Sequence, residues 1–312
     1  MGADLEAAAI SRTKQPAGTP EAPEPAAPPP SPSFAIAFGG GGARGLAHIH
    51  VIEALDELGI RPVAIAGSSI GAIMGAGMAA GMSGRDIRHY AHTVLSNRAE
   101  VLSRMWRARP GSFGEMMAGG FTFTQFDIER ILKSFLPSAV PQSFEELQIP
   151  LQVTATDYYG HTLAVFDAGD LQSAIAASAA IPAVFRPVQR DGKLLVDGGI
   201  YNPVPFDLLE GKADIVIAID VVGAPTKFRR ERPTSIDLMF GATQLMMQSI
   251  TAMKLKTRRP EILLRPPVSR FRALDFLKID AVMAETASIK EETKRAVDLA
   301  VKARQRRAAR QG

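Results

Sequence analysis

The chain has 312 residues, enough for one large domain or two small ones, and its 46% hydrophobic and 22% charged residues are ordinary for a globular protein. It contains no cysteine, which excludes disulfides, thiol catalysis and thiolate metal sites. The formal net charge of +4 is modest, but Lys302, Arg304, Arg306, Arg307 and Arg310 crowd the end of the chain with no acid among them. Such a run is either a solvated helix end or a contact for anionic lipid or nucleic acid.

Residues 1–33 are rich in Pro, Ala and Glu, with Pro28-Pro29-Pro30 near their end. They bury too little apolar surface to offset their ordering entropy and are expected to be disordered. They lack a basic stretch followed by an apolar one, so no secretory signal is read. Glu6 stands where a myristoylation signal wants Ser or Thr. No domain boundary follows, and residues 34–312 read as a single domain with a C-terminal helical region and a basic tail.

The domain opens on Phe34-Ala35-Ile36-Ala37-Phe38, a buried strand by its unbroken apolar run. Gly39-Gly40-Gly41-Gly42-Ala43-Arg44-Gly45 follows, then a helix over 46–58 with Ile49, Ile52, Leu55 and Leu58 on one face and Gly59 as its stop. A strand over 63–66 completes a βαβ unit, which implies a right-handed crossover and parallel pairing. Gly67-Ser68-Ser69-Ile70-Gly71 comes next, leading into a helix of small and apolar residues over 72–80. The Gly-x-Ser-x-Gly pattern between strand and helix is that of a nucleophile elbow: the chain reverses sharply and leaves Ser69 strained and exposed at a helix N-terminus. The uncharged stretch 62–84, with small-xxx-small spacings at Gly71/Gly75 and Gly77/Gly81, is also a membrane-span pattern. Its glycines and serines and the lack of an aromatic belt favour a strand and helix buried in a globular core.

Gly40-x-Gly42-x-x-Gly45 formally matches the dinucleotide-binding fingerprint, but the second strand ends in Gly67-Ser68-Ser69 and not in the acid that would hold a ribose. Four successive glycines fit a backbone that presents several N–H groups to one anionic oxygen, an oxyanion hole. Taken together, Gly40-Gly41-Gly42-Ala43-Arg44-Gly45 and Gly67-Ser68-Ser69-Ile70-Gly71 resemble the patatin-like phospholipase family. The resemblance implies a three-layer α/β/α sandwich with a mostly parallel central sheet. It also implies Ser69 as nucleophile, the N–H groups of Gly40, Gly41 and Gly42 as oxyanion hole, and a catalytic Asp on a later Asp-Gly-Gly or Asp-Gly-Ala turn.

Beyond the elbow, Ser83 or Gly84 starts a helix through Ile87, Tyr90 and Val94. Residues 104–123 mix Trp106, Phe113, Met116, Met117, Phe121 and Phe123 with Arg104, Arg107 and Arg109. They read as an irregular loop packed by its own side chains, or as a cover or interfacial surface. A helix over 127–135, a strand over 151–157, its hairpin partner over 162–166 and a small-residue helix over 171–180 follow. Ala177-Ser178-Ala179-Ala180-Ile181-Pro182, then Phe185-Arg186-Pro187-Val188, resembles the family's segment before its catalytic Asp. Asp191-Gly192 is a hairpin turn, and Asp197-Gly198-Gly199 is the turn that the resemblance requires. A buried strand over 215–220 is expected at the far side of the sheet. A Met-rich helix over 236–256 reads as core or partner interface, with lipid contact as the less favoured reading. A short strand over 262–264 and one mostly polar helix over 281–309 close the chain.

Serine attacks only when a base takes its proton. The histidines are His48, His50, His89, His92 and His161, and none follows Asp197. A triad in the order Ser, Asp, His is therefore unavailable, and the resemblance implies a Ser69–Asp197 dyad. Arg44 and Ile70 are the candidate substrate-binding residues, Arg44 either holding a phosphate headgroup or bracing the loop. No cofactor or metal is expected, and no nucleic-acid partner. The expected reaction is hydrolysis of carboxylic esters in phospholipids, lysophospholipids or simpler esters. The location is expected to be cytoplasmic, with peripheral membrane contact as a variant of it. A non-catalytic lipid-binding scaffold on the same fold needs neither Ser69 nor Asp197, and a nicotinamide-dependent oxidoreductase needs the missing acid.

Overall fold

The computed structural model describes residues 31–96, 126–226 and 234–311. The stretch around Trp106 and the leading segment up to residue 30 lie outside the described residues. Contacts divide the chain into Met1–Ser31 and Pro32–Gly312, and the second unit holds every element below. Ser33, read from sequence with the leading segment, donates from its N–H and its Oγ to Asp214 at 2.9 and 3.0 Å.

One eight-stranded sheet organises the domain: β1 (Phe34–Phe38), β2 (Ala64–Ser68), β3 (Leu151–Asp157), β4 (Thr162–Phe166), β5 (Val188–Arg190), β6 (Lys193–Asp197), β7 (Ile215–Ile219) and β8 (Ile262–Leu264). The strand order is β5-β6-β3-β2-β1-β7-β8, with β4 added on β3. Pairing is parallel from β3 through to β8, and β4, β5 and β6 are antiparallel. The expected strand at the far side, β7, sits between β1 and the edge strand β8.

Side-chain alternation makes the layers. Phe34, Ile36 and Phe38 of β1, with Ile215, Ile217 and Ile219 of β7, face the larger core. There they meet α1 (His48–Glu57), α2 (Ile70–Ala79), α3 (Gly84–Leu95), α4 (Ile128–Phe135), α5 (Leu171–Ala179) and, at the C-terminal end, α7 (Ile279–Glu285) and α8 (Ile289–Gln311). Ala35, Ala37, Ala64, Ala66 and Ala218 face the other way. Their small side chains let the backbone around Val204, Phe206 and Leu209 lie close to the sheet, with Leu255 of α6 (Ser235–Thr257) beside it. The result is the expected three-layer α/β sandwich.

Helix starts follow local chemistry. Ser83 and Thr234 form capping boxes with Asp86 and Asp237, and Asp127 and Asp170 each accept from a first-turn N–H. Two expectations are corrected. The helix after the glycine loop begins as a 3-10 turn over Gly42–Ala47 and becomes α only at His48. The last helix is two: α7 ends at Glu285, Thr286 turns its hydroxyl back onto the Val282 carbonyl at 2.8 Å, and the chain restarts as α8 at Ile289.

Candidate active site

Strands β1, β2 and β7 run parallel and in step, so Phe38 lies beside Gly67 on one side and Ile219 on the other. The glycine loop, the serine turn and the chain after β7 therefore leave the sheet at one edge, the carboxyl end where open α/β sheets place their sites.

The serine and the aspartate meet because of how β3 is shared. One edge of β3 carries β4. The other carries β2 as far as the Ser68–Thr154 pair, and then β6, which arrives from the opposite direction and stops with Asp197 opposite Ala155. Two strands thus abut head-on along a third, and the residues at the junction are Ser69 and Asp197. Gly198 makes the junction possible: a Cβ there would stand 2.2 Å from the Thr154 carbonyl oxygen.

Ser69 has φ 54° and ψ −123°, the strained backbone expected of an elbow. Its Oγ donates to Asp197 Oδ2 at 2.6 Å. Asp197 Oδ1 accepts from the Gly199 N–H at 2.7 Å, which fixes the carboxylate plane. The two residues are 4% and 7% exposed. Burial pushes the Asp197 carboxyl up from 3.8 to about 6, against the opposing hydrogen bonds from Ser69 and Gly199. Such a carboxylate is charged at neutral pH yet close enough to its pKa to accept and return a proton.

The glycine loop lies against this pair, and a Cβ on Gly40 would be 3.3 Å from that of Ser69. Of the three expected oxyanion-hole donors, the Gly40 N–H donates to the Pro203 carbonyl at 2.9 Å. The N–H groups of Gly41 and Gly42 make no hydrogen bond among the described residues. Gly42 has φ +61°, and a Cβ there would meet the Ala273 carbonyl oxygen at 2.1 Å, so this position admits only glycine without moving the loop.

Arg44 braces the loop. It is buried, its Nε donates to the Gly41 carbonyl at 3.0 Å, and burial lowers its pKa to about 10 against the attraction of Asp220. Ile70 belongs to the core and packs on Gly45, where a Cβ would come within 2.4 Å of its side chain. The two histidines of α1 are also structural. Burial pushes His48 down to about 4, so it is neutral and donates from Nε2 to the Gly39 carbonyl at 2.9 Å. Its Nδ1 has no partner among the described residues, so no hydrogen-bond relay leads from it towards Ser69. His50 bonds the Met283 carbonyl through Nε2 at 2.8 Å and meets Arg88 through Nδ1 at 3.1 Å.

Ser178 on α5 is a site residue that sequence reasoning missed. Its Oγ accepts from the Ser69 N–H at 2.7 Å and so helps hold the strained elbow. The signal was present as the serine of Ala177-Ser178, but nothing local says that its hydroxyl reaches a residue so distant in sequence.

A serine on a strand-to-helix elbow, bonded to a buried carboxylate beside a glycine loop, has the geometry of a nucleophile with its base on an α/β scaffold. The chain matches the patatin-like phospholipase family over residues 36–210 and belongs to that family. It is 39% identical over 195 residues to an uncharacterized NTE family protein of Mycobacterium tuberculosis, covering 62% of this chain and 50% of that one. It is 28% identical over 285 residues to human patatin-like phospholipase domain-containing protein 6, covering 80% of this chain but 19% of that one. The chain thus spans half or less of the length of these relatives. Among solved structures, VipD from Legionella pneumophila aligns over 83% of this chain and 67% of its own, with 16% identity and a TM-score of 0.42.

Proposed function

We propose that this chain is a serine acyl hydrolase that cleaves carboxylic esters of lipids, such as phospholipids or lysophospholipids. The observation that carries this reading is the 2.6 Å bond from Ser69 Oγ to Asp197 Oδ2 at a strained elbow. Family membership supplies the lipid class.

In the reaction, Ser69 Oγ attacks the ester carbonyl while Asp197 Oδ2 takes its proton. The N–H groups of Gly41 and Gly42 stabilise the tetrahedral oxyanion, at about 2.7–4 kcal/mol for each donor of this kind. Collapse expels the alcohol, which leaves with the proton from Asp197. Water then attacks the acyl-Ser69 ester as Asp197 takes a proton from it, and the second tetrahedral intermediate releases the fatty acid and restores Ser69. The Gly199 N–H keeps the second carboxylate oxygen in place, so that Oδ2 faces Ser69 throughout.

A fluorophosphonate probe tests this without knowledge of the substrate. Mass spectrometry is expected to map the label to Ser69 in the wild type. The label should vanish in Ser69→Ala and fall sharply in Asp197→Asn while both variants stay folded. A folded wild type that takes no label, or one labelled at another serine, overturns the reading.

A further inference from the structure

Helix α6 carries apolar side chains on its outward side as well as on its inward one, where Met247 and Leu255 lie. Its inward side holds the body through polar groups: Gln244 Nε2 donates to the Val222 carbonyl at 2.9 Å, and Gln248 donates to the Gly223 carbonyl. Lys254 Nζ donates to Asn202 Oδ1 at 2.5 Å and to the Val204 carbonyl at 2.9 Å, and pairs with Asp207. Its outward side is apolar: Leu238, Met246 and Met253 are each 59% exposed and Leu245 is 55% exposed. Three- and four-residue spacings put them, with Ala242, Ser249 and Ala252, on one continuous stripe. From Leu238 to Met253, roughly 22 Å of helix, the exposed positions carry no charge. A surface helix facing only water has the reverse arrangement, and a contiguous apolar stripe of this kind marks a contact.

We propose that this stripe docks the chain onto an anionic phospholipid surface, an inference that rests on the lipid-hydrolase reading above. Position favours it. Met247, on the inward flank of the same helix, reaches Gly199, where a Cβ would lie 2.8 Å from its Cε, two residues from Asp197. The stripe therefore belongs to an element that borders the candidate active site. Charge favours it too. Lys256 and Arg259 are exposed just past the stripe, as is Arg258, which pairs with exposed Glu210 at 2.8 Å. In the sequence, Lys227, Arg229, Arg230 and Arg232 precede the helix with Glu231 as the only acid among them. Apolar side chains beside exposed cations suit a helix lying in the headgroup layer of an anionic bilayer. Among the described residues no helix is long and apolar enough to cross a membrane, so the stripe would lie on the bilayer and not span it.

The test is co-sedimentation of the full chain with phosphatidylcholine vesicles, with and without phosphatidylglycerol, comparing wild type with Leu245→Gln/Met246→Gln. Binding is expected to need phosphatidylglycerol and to weaken on the order of tenfold for each side chain changed. Fluorophosphonate labelling and hydrolysis of a soluble short-chain ester should stay at the wild-type level. Undiminished vesicle binding by the double variant overturns the proposal, as does a wild type that fails to bind. A dimer that the same substitutions disperse in sedimentation velocity also overturns it, in favour of self-association. Labelling and binding of the wild type, measured side by side, separate the two readings: vesicle binding without labelling would remove the catalytic assignment and leave the docking surface, and labelling without binding would do the opposite.

Discussion

Replacing Asp197 with asparagine separates two consequences of burying this carboxylate. The substitution keeps size and shape: Oδ1 can still accept from the Gly199 N–H, and the amide nitrogen faces Ser69 Oγ, which accepts where it had donated. What disappears is a charge held almost out of water. Burial raises the carboxyl from 3.8 to about 6, which at ~1.4 kcal/mol per pH unit makes the charged form cost the fold about 3 kcal/mol. Between those two values the folded protein holds a proton that the unfolded chain has released. The protonated carboxyl therefore contributes stability that is fully present below about pH 4 and is lost as pH rises through about 6. Urea unfolding at about pH 8 should find Asp197→Asn more stable than wild type by up to about 3 kcal/mol, and the gap should close towards about pH 4. In parallel, wild-type kcat/KM should rise with pH and level off above about 6, while the variant should lose about 10²–10⁴ of its rate. Equal stabilities at both pH values would refute the argument, because a carboxylate that costs nothing to bury is not the poised base that the mechanism needs.

Ser178→Ala leaves the buried Ser69 N–H without its acceptor. It should cost about 1–3 kcal/mol in urea unfolding and lower kcat with little change in KM. Gly42→Ala places a methyl on the Ala273 carbonyl at a φ of +61°. The loop must move, and labelling of Ser69 should slow by about 10² or more while far-UV circular dichroism is unchanged. His50→Gln removes a tie between α1 and α7. It should lower stability by about 1–2 kcal/mol and leave the pH midpoint of turnover where it was, and a moved midpoint would return a histidine to the mechanism.

The parts of this architecture that could be read from sequence are those set by neighbouring residues. The glycine loop, the Ser69 elbow, the helix starts at Ser83 and Asp127 and the Asp191-Gly192 hairpin all depend on a few adjacent positions, and apart from the start of the helix after the glycine loop and the division of the last one, the expected strands and helices lie within about two residues of those observed. What could not be read depends on distant chain. Gly40 loses its N–H to Pro203, and Ser69 gains an acceptor from Ser178, through contacts that no local pattern encodes. Arg44 could have held a headgroup or braced the loop until Gly41, Asp220 and burial were in view. The apolar stripe of α6 was visible as periodicity, but periodicity does not say whether a stripe faces in or out. Here it faces out, because Gln244, Gln248 and Lys254, with Met247 and Leu255, supply the inward contacts.

The same geometry leaves no place for a histidine between Ser69 and Asp197. In a triad the imidazole stands between the serine and the carboxylate and bonds both. Here Ser69 Oγ and Asp197 Oδ2 are 2.6 Å apart, and no ring fits between them. Nor can the gap open by small steps. Asp197 is carried by β6, whose register on β3 is fixed by the Ala155–Asp197 and Asp157–Leu195 pairs. A slip of one residue would turn Asp197 to the other face of the sheet, and a slip of two would carry it a full side-chain repeat from the serine. The abutting of β2 and β6 on one edge of β3 therefore admits direct contact between these two side chains or none. A base acting on Ser69 without an intermediary would need its own pKa raised towards neutrality, and burial of the junction raises that of the Asp197 carboxyl to about 6.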